Sequence, residues 1–228
     1  MAGGTGTRFW PLSTKNKPKQ FLDILGTGRT LLQQTYDRLV RLIPISNIYV
    51  VTNEMYYELV KEQLPKLSDH QILLEHEKKN TAPCIAYANN KIQRINPKAN
   101  IVVSPSDHLI KDEQPFLEVL NEGLEFTENH DALLTLGIKP HQPETGYGYI
   151  QRENDQEMDG YKNLYKVKTF TEKPNYELAR KFYESGEYYW NSGIFIWSLE
   201  SIMQAFAKYL PNIEQIFKEG KSLYDTPG

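Results

Sequence analysis

The chain has 228 residues, enough to bury a sizeable core as one large domain or as one domain with part of a second. Its 39% hydrophobic and 24% charged residues are those of an ordinary globular protein, and a formal charge of -3 excludes the broad basic field that generic polyanion binding needs. The single cysteine, Cys84, excludes an internal disulfide, and apolar runs such as Ile101–Val103 and Ile194–Trp197 are strand-length rather than membrane-length. The start carries no basic-then-apolar signal region, so a cytoplasmic protein with neither membrane nor nucleic acid as partner is expected.

In chain order, Leu31, Leu32, Leu39 and Ile43 share a helical face behind a Thr30 cap. Ile48 to Thr52 reads as a strand, and Tyr56, Leu59, Val60 and Leu64 return to helical spacing. A strand from Gln71 to Glu75 precedes a helix from Thr81 to Ile95, with Pro83 tolerated in its first turn. Asn100 to Ser104 and Ala132 to Ile138 read as further strands. This alternation predicts an α/β fold, Rossmann-like, with a mixed and mainly parallel sheet flanked by helices. After about residue 146 the texture becomes aromatic-rich, with strands at Tyr147 to Ile150 and Leu164 to Thr171 around a polar insert at Arg152 to Gly160. That stretch reads as an antiparallel elaboration. No repeat or composition shift divides the chain, so residues 1–228 read as one domain.

The strongest chemical signal is Gly3-Gly4-Thr5-Gly6-Thr7-Arg8, followed by Lys15, Lys17 and Lys19. Glycines let successive backbone amides approach an anion, and Arg and Lys add fixed charge. Residues 1–22 hold four cations and no Asp or Glu, which suits a polyphosphate. The pattern is not a Walker loop, because Gly220-Lys221-Ser222 has Gln215 where the first glycine belongs. Nor is it a dinucleotide fingerprint, since Phe9 stands in the third glycine's place. A glycine-rich turn beside a solvated basic loop has the same composition.

The run from Ala2 to Ser13, continuing to Pro18-Lys19-Gln20-Phe21, resembles the signature of the sugar-nucleotidyltransferases. Its Trp10-Pro11-Leu12-Ser13 and Pro18-Lys19-Gln20-Phe21 variants are similar to those of the mannose-1-phosphate guanylyltransferases in particular. Four further segments match in order: Asn80-Thr81-Ala82-Pro83, Pro105-Ser106-Asp107-His108, Glu144 to Ile150, and Glu172-Lys173-Pro174 leading to Trp190-Asn191-Ser192-Gly193. Motifs spread over nearly the whole chain are far more specific than one glycine loop. The resemblance implies a nucleotide-diphospho-sugar transferase fold, with transfer of GMP from GTP to mannose 1-phosphate. It implies Mg²⁺ as cofactor, GTP and mannose 1-phosphate as partners, and leaves a homodimer open.

Residue by residue, each site has a plain structural alternative. Asp107, just past a strand, caps the next turn or, as the resemblance implies, holds Mg²⁺ with phosphate oxygens and water. His108 reads as a turn or packing residue. Asn80 and Thr81 cap a helix, or line the base pocket as in the family. Cys84 reads as a small packed residue. Gly146 and Gly148 are strand glycines, or leave room for the sugar. Glu172 and Lys173 form an exposed ion pair, or take the sugar hydroxyls and the sugar phosphate. Asn191 is a turn residue, or binds sugar hydroxyls. Trp190, Phe195 and Trp197 read as core. The resemblance gives Arg8 to the leaving pyrophosphate, Lys19 to the α-phosphate, and the backbone of Gly3, Gly4, Thr5, Gly6 and Thr7 to the nucleotide.

The family's glycine loop follows a complete first strand, whereas Met1 and Ala2 precede Gly3 here, and the chain stops before the family's second metal-binding aspartate. A domain incomplete at both ends is therefore the expectation. His76 and Lys79 depart from the related Pro and Arg. A relative with another nucleotide or sugar, and a nucleotide-binding module without catalysis, are the competing readings.

Overall fold

Thr30 starts the first regular helix for a local reason. Its Oγ1 accepts the Gln33 backbone N–H at 3.3 Å while Gln33 Oε1 accepts the Thr30 N–H at 3.0 Å, a reciprocal capping box. The computed structural model describes residues 1–2, 9–75 and 81–220. Their first elements are α1 (Leu31–Leu39), β1 (Val50–Asn53), α2 (Tyr57–Gln63), β2 (Ile72–Glu75), α3 (Thr81–Ile95), β3 (Asn100–Val103) and α4 (Glu113–Asn129). There follow β4 (Leu133–Ile138), β5 (Tyr149–Arg152), β6 (Val167–Thr171), α5 (Tyr176–Ser185), β7 (Tyr188–Ser198), α6 (Leu199–Tyr209) and α7 (Pro211–Glu219). They divide into two units, the first drawn from Met1–Ala99, Ser104–Glu118 and Leu199–Gly228, the second from Asn100–Val103 and Val119–Ser198.

In the first unit β1 and β2 pair in parallel, Val50 opposite Ile72 and Asn53 opposite Glu75, with α2 as the crossover. Val50, Val51 and Thr52 are all buried, as a parallel strand covered on both faces requires. Phe21, Leu32, Tyr36, Tyr56, Val60 and Leu64 form the core beside them. Ile43 lies past the end of α1, yet its N–H still donates to Leu39 O and its side chain packs on that cluster. Cys84 on α3 packs against Val51 and Leu73, and α6 and α7 lie beside α3.

The second unit is built around β7, an eleven-residue strand whose side chains largely alternate between deeper and shallower burial. β4 runs antiparallel along one edge of it, from Leu133 opposite Trp197 to Ile138 opposite Trp190. The other edge is shared: β3 takes the C-terminal half, Val103 opposite Phe195, and β5 takes the N-terminal half, Tyr149 opposite Trp190. β6 pairs with β5 at the sheet's border. α4 lies close to β7 because Gly123 has no side chain; a Cβ there would come within 2.5 Å of Ile196 Cδ1. α5 starts at Asn175, whose Oδ1 accepts the Leu178 N–H at 3.0 Å, and it buries Ala179 near Tyr149 and Trp190.

The mixed α/β class and the antiparallel elaboration are both present. Parallel pairing among the described residues is confined to β1 and β2, whereas β3 and β4 take β7 as antiparallel partner. Period-two burial is the same in either direction, so the pattern of β3 and β4 carried no information on strand sense.

Candidate nucleotide and sugar sites

In the first unit, Lys19 opens a single 3-10 turn, Lys19–Phe21, whose other two side chains are buried. Gln20 Nε2 donates to Ala2 O at 2.8 Å, and Ala2 N–H donates to Val51 O at 2.8 Å, so the turn is tied to β1. Anchored this way, Lys19 holds its ammonium 2.6 Å from Asp107 Oδ2 and 5.6 Å from the centre of the Phe9 ring. Asp107 is placed from the other side: the Met1 ammonium donates to Ser104 O at 2.8 Å and the Ser106 N–H to Met1 O at 3.1 Å.

Lys19 and Asp107 keep 29% and 24% of their side-chain surface open. An ion pair so wetted contributes about 1 kcal/mol or less, so a phosphate for Lys19 or a cation for Asp107 displaces the partner at small cost. Among the described residues no group of three or more His, Cys, Asp or Glu converges as a metal cage. Mg²⁺ does not require one, since it is commonly held by one or two carboxylates and completes its octahedron with substrate phosphate and water; the hard oxygens of Asp107 fit that role.

Burial pushes the His108 imidazole below its ordinary value; Asp107 pulls the other way, and Lys19 and Arg38 add to the fall. A neutral ring here keeps a further cation away from Lys19. Arg38 is buried, its Nε donating to Glu113 Oε1 at 3.1 Å. Burial, then the neighbouring Glu75 carboxylate, push the Cys84 thiol up to about 12, so it is the inert packed residue its position suggested. Thr81 is exposed as the first residue of α3. Gly3, Gly4, Thr5, Gly6, Thr7, Arg8 and Asn80 lie outside the described residues, as do His76 and Lys79.

In the second unit, Gly148, Glu172 and Asn191 converge. A Cβ on Gly148 would sit 2.8 Å from Glu172 Oε2, 3.2 Å from Phe170 Cζ and 3.4 Å from Asn191 Cβ, so a side chain there would make Glu172 and Phe170 shift. Asn191 lies where β7 passes from β5 to β3, its N–H donating to Gly148 O at 2.7 Å. Its Oδ1 accepts from the Gly193 N–H at 3.0 Å and from Thr135 Oγ1 at 2.8 Å. A backbone N–H can only donate, which fixes the carboxamide's orientation and leaves Nδ2 to an outside acceptor. Glu172 and Lys173 do form the exposed pair, 3.0 Å apart, with Lys173 at a φ of +42°, uncommon for a residue with a side chain. The Gly146 N–H donates to Glu144 Oε1 at 3.0 Å, and the Glu144 N–H donates to Tyr149 Oη at 2.9 Å. Trp190 and Trp197 are core, as is Tyr149, while Tyr147 is exposed.

Thr135, Glu144 and Phe170 were not among the expected site residues. Glu144 stands within a motif, but Thr135 and Phe170 gave no signal, because their neighbours come from distant strands.

The profile of the nucleotidyl transferase family matches residues 1–224. The chain belongs to the nucleotidyl transferase family. This nucleotidyl transferase chain is 40% identical over 223 residues to a mannose-1-phosphate guanylyltransferase of Escherichia coli, covering 96% of itself and 47% of that protein. It spans about half the length of the curated relatives it matches. A Thermus thermophilus structure described as a mannose-1-phosphate geranyltransferase superposes with a TM-score of 0.87 at 29% identity, covering all of this chain and 64% of that one. A Helicobacter pylori structure described as a mannose-6-phosphate isomerase gives 0.76 at 29% identity, over 89% of this chain and 75% of that one. The nucleotide-diphospho-sugar transferase fold is thus present, while the different names show that the reaction must be argued from the sites.

Proposed function

We propose that this chain carries the catalytic domain of a mannose-1-phosphate guanylyltransferase, joining GTP and mannose 1-phosphate into GDP-mannose and pyrophosphate in the cytoplasm. The observation that carries the reading is the side-by-side placement of Lys19 and Asp107, which supplies a cation for phosphate and a carboxylate for a divalent ion. Relatives of the same name, about 40% identical, support the choice of base and sugar.

In this reading a phosphate oxygen of mannose 1-phosphate attacks the α-phosphorus of GTP in line. The P–O bond to the β-phosphate breaks and pyrophosphate leaves with its electron pair. The nucleophile is already anionic, so no general base is needed, and rate comes from alignment and charge neutralisation. Lys19 takes the α-phosphate and Arg8 the leaving pyrophosphate. The amides of Gly3, Gly4, Thr5, Gly6 and Thr7 cradle the triphosphate, and Asn80 and Thr81 face the base. In the second unit Glu172 accepts from sugar hydroxyls, Asn191 donates to them through Nδ2, Gly146 leaves space for the ring, and Lys173 pairs with the sugar phosphate. Asp107 would hold Mg²⁺, which when bound offsets negative charge on phosphate oxygens.

The test is pyrophosphate release across a grid of nucleoside triphosphates and hexose 1-phosphates with Mg²⁺. Release confined to GTP with mannose 1-phosphate is expected. Release with another pair would replace the substrates named here, and saturable GTP binding without release would leave a binding module.

A further inference from the structure

Along β6 and its extension, side chains two apart share a face, so Phe170 and Glu172 stand on the same side of the sheet. The bare Cα of Gly148 and the side chain of Asn191 meet them there, by the distances given above. Phe170 keeps 49% of its surface open, and among the described residues no ring stacks on it and no cation lies over it. An exposed aromatic ring costs free energy unless something apolar covers it. Here it stands beside a carboxylate acceptor, Glu172, and an amide donor, Asn191 Nδ2, whose orientation is fixed from within the sheet. A pyranose has a C–H face that packs on an aromatic ring and a rim of hydroxyls that needs both acceptor and donor.

We propose that Phe170 is a sugar-specificity residue, the platform on which the pyranose of the hexose 1-phosphate lies while Glu172 and Asn191 hold its hydroxyls. The assignment rests on the sugar-phosphate reading of the preceding section and adds the residue that selects the ring. Gly148 suits this arrangement, because a side chain there would shift Phe170 and Glu172.

Steady-state kinetics on Phe170→Ala and Phe170→Tyr test it, with thermal midpoints measured alongside. Phe170→Ala should raise KM for mannose 1-phosphate about tenfold and leave KM for GTP unchanged, and Phe170→Tyr should stay within about twofold of wild type. An unchanged sugar KM in Phe170→Ala, or an equal rise in both KM values, overturns the proposal. If the wild type releases no pyrophosphate, saturation-transfer NMR with mannose 1-phosphate replaces kinetics. Transfer seen in wild type and lost in Phe170→Ala upholds the platform while the transfer reaction falls. Transfer absent from wild type, or equal in both, overturns the platform.

Discussion

Lys19 and Asp107 show how little of a site a single side chain carries. The lysine stands out in the sequence as part of a basic stretch without carboxylates, the aspartate by following a strand, and neither signal says that they touch. Their contact at 2.6 Å makes each the other's counterion. Because the pair is partly wetted, removing either group should leave the thermal midpoint nearly unmoved. Turnover is another matter, since in the proposed reaction Lys19 would neutralise charge on the α-phosphate and Asp107 would hold the divalent ion that does the same. Lys19→Met and Asp107→Asn are each expected to lower kcat by about 10²- to 10³-fold, by analogy with deleting one oxyanion donor. Wild-type kcat in either purified variant would remove that residue from the mechanism. Asn191 belongs to the same scale: its side chain looks like a turn residue in sequence, and only Thr135 and Gly193 reveal which end of the carboxamide is available.

The elements divide by how local their causes are. α1 and α3 were legible because a cap, a tolerated Pro83 and a 3.6-residue period all act within one helix. For α1 the prediction is direct. Thr30→Ala removes the acceptor of the Gln33 N–H and should cost about 1 kcal/mol, read as a lower urea midpoint with unchanged slope. An unaltered midpoint would mean that the contacts of Gln33 with Gln63 hold the helix start unaided. Strands β1 to β6 were legible to within three residues and β7 only in part, but their partners were not. β7 shows why: its apolar run is plain in Ile194–Trp197, yet its length and its double-sided pairing depend on β3, β4 and β5 arriving from elsewhere. Gly123 makes the same point, since its reason lies on Ile196, in another element.

At the scale of the whole molecule, burial of a single imidazole couples folding to pH. His108 has its pKa lowered in the folded state, so its contribution is present above the ordinary imidazole value, near 6.5. As pH falls below that value the unfolded chain takes up a proton that the folded chain resists, and stability drops. The thermal midpoint should therefore decline between pH 7.5 and pH 5.5, and His108→Gln should flatten that decline. An equally steep profile in the variant would show that other groups set the acid limit.

The sequence by itself determined the motifs, the helices α1, α2 and α3, the mixed α/β class and the family resemblance, because these follow from residues close together in the chain. The tertiary structure alone decided the antiparallel pairing around β7, the Lys19–Asp107 contact and the meeting of Phe170, Glu172 and Asn191 over Gly148. Hydrogen-bond partners and close packing are settled between segments far apart in sequence, and hydrophobic periodicity records only that a face is buried, not what buries it.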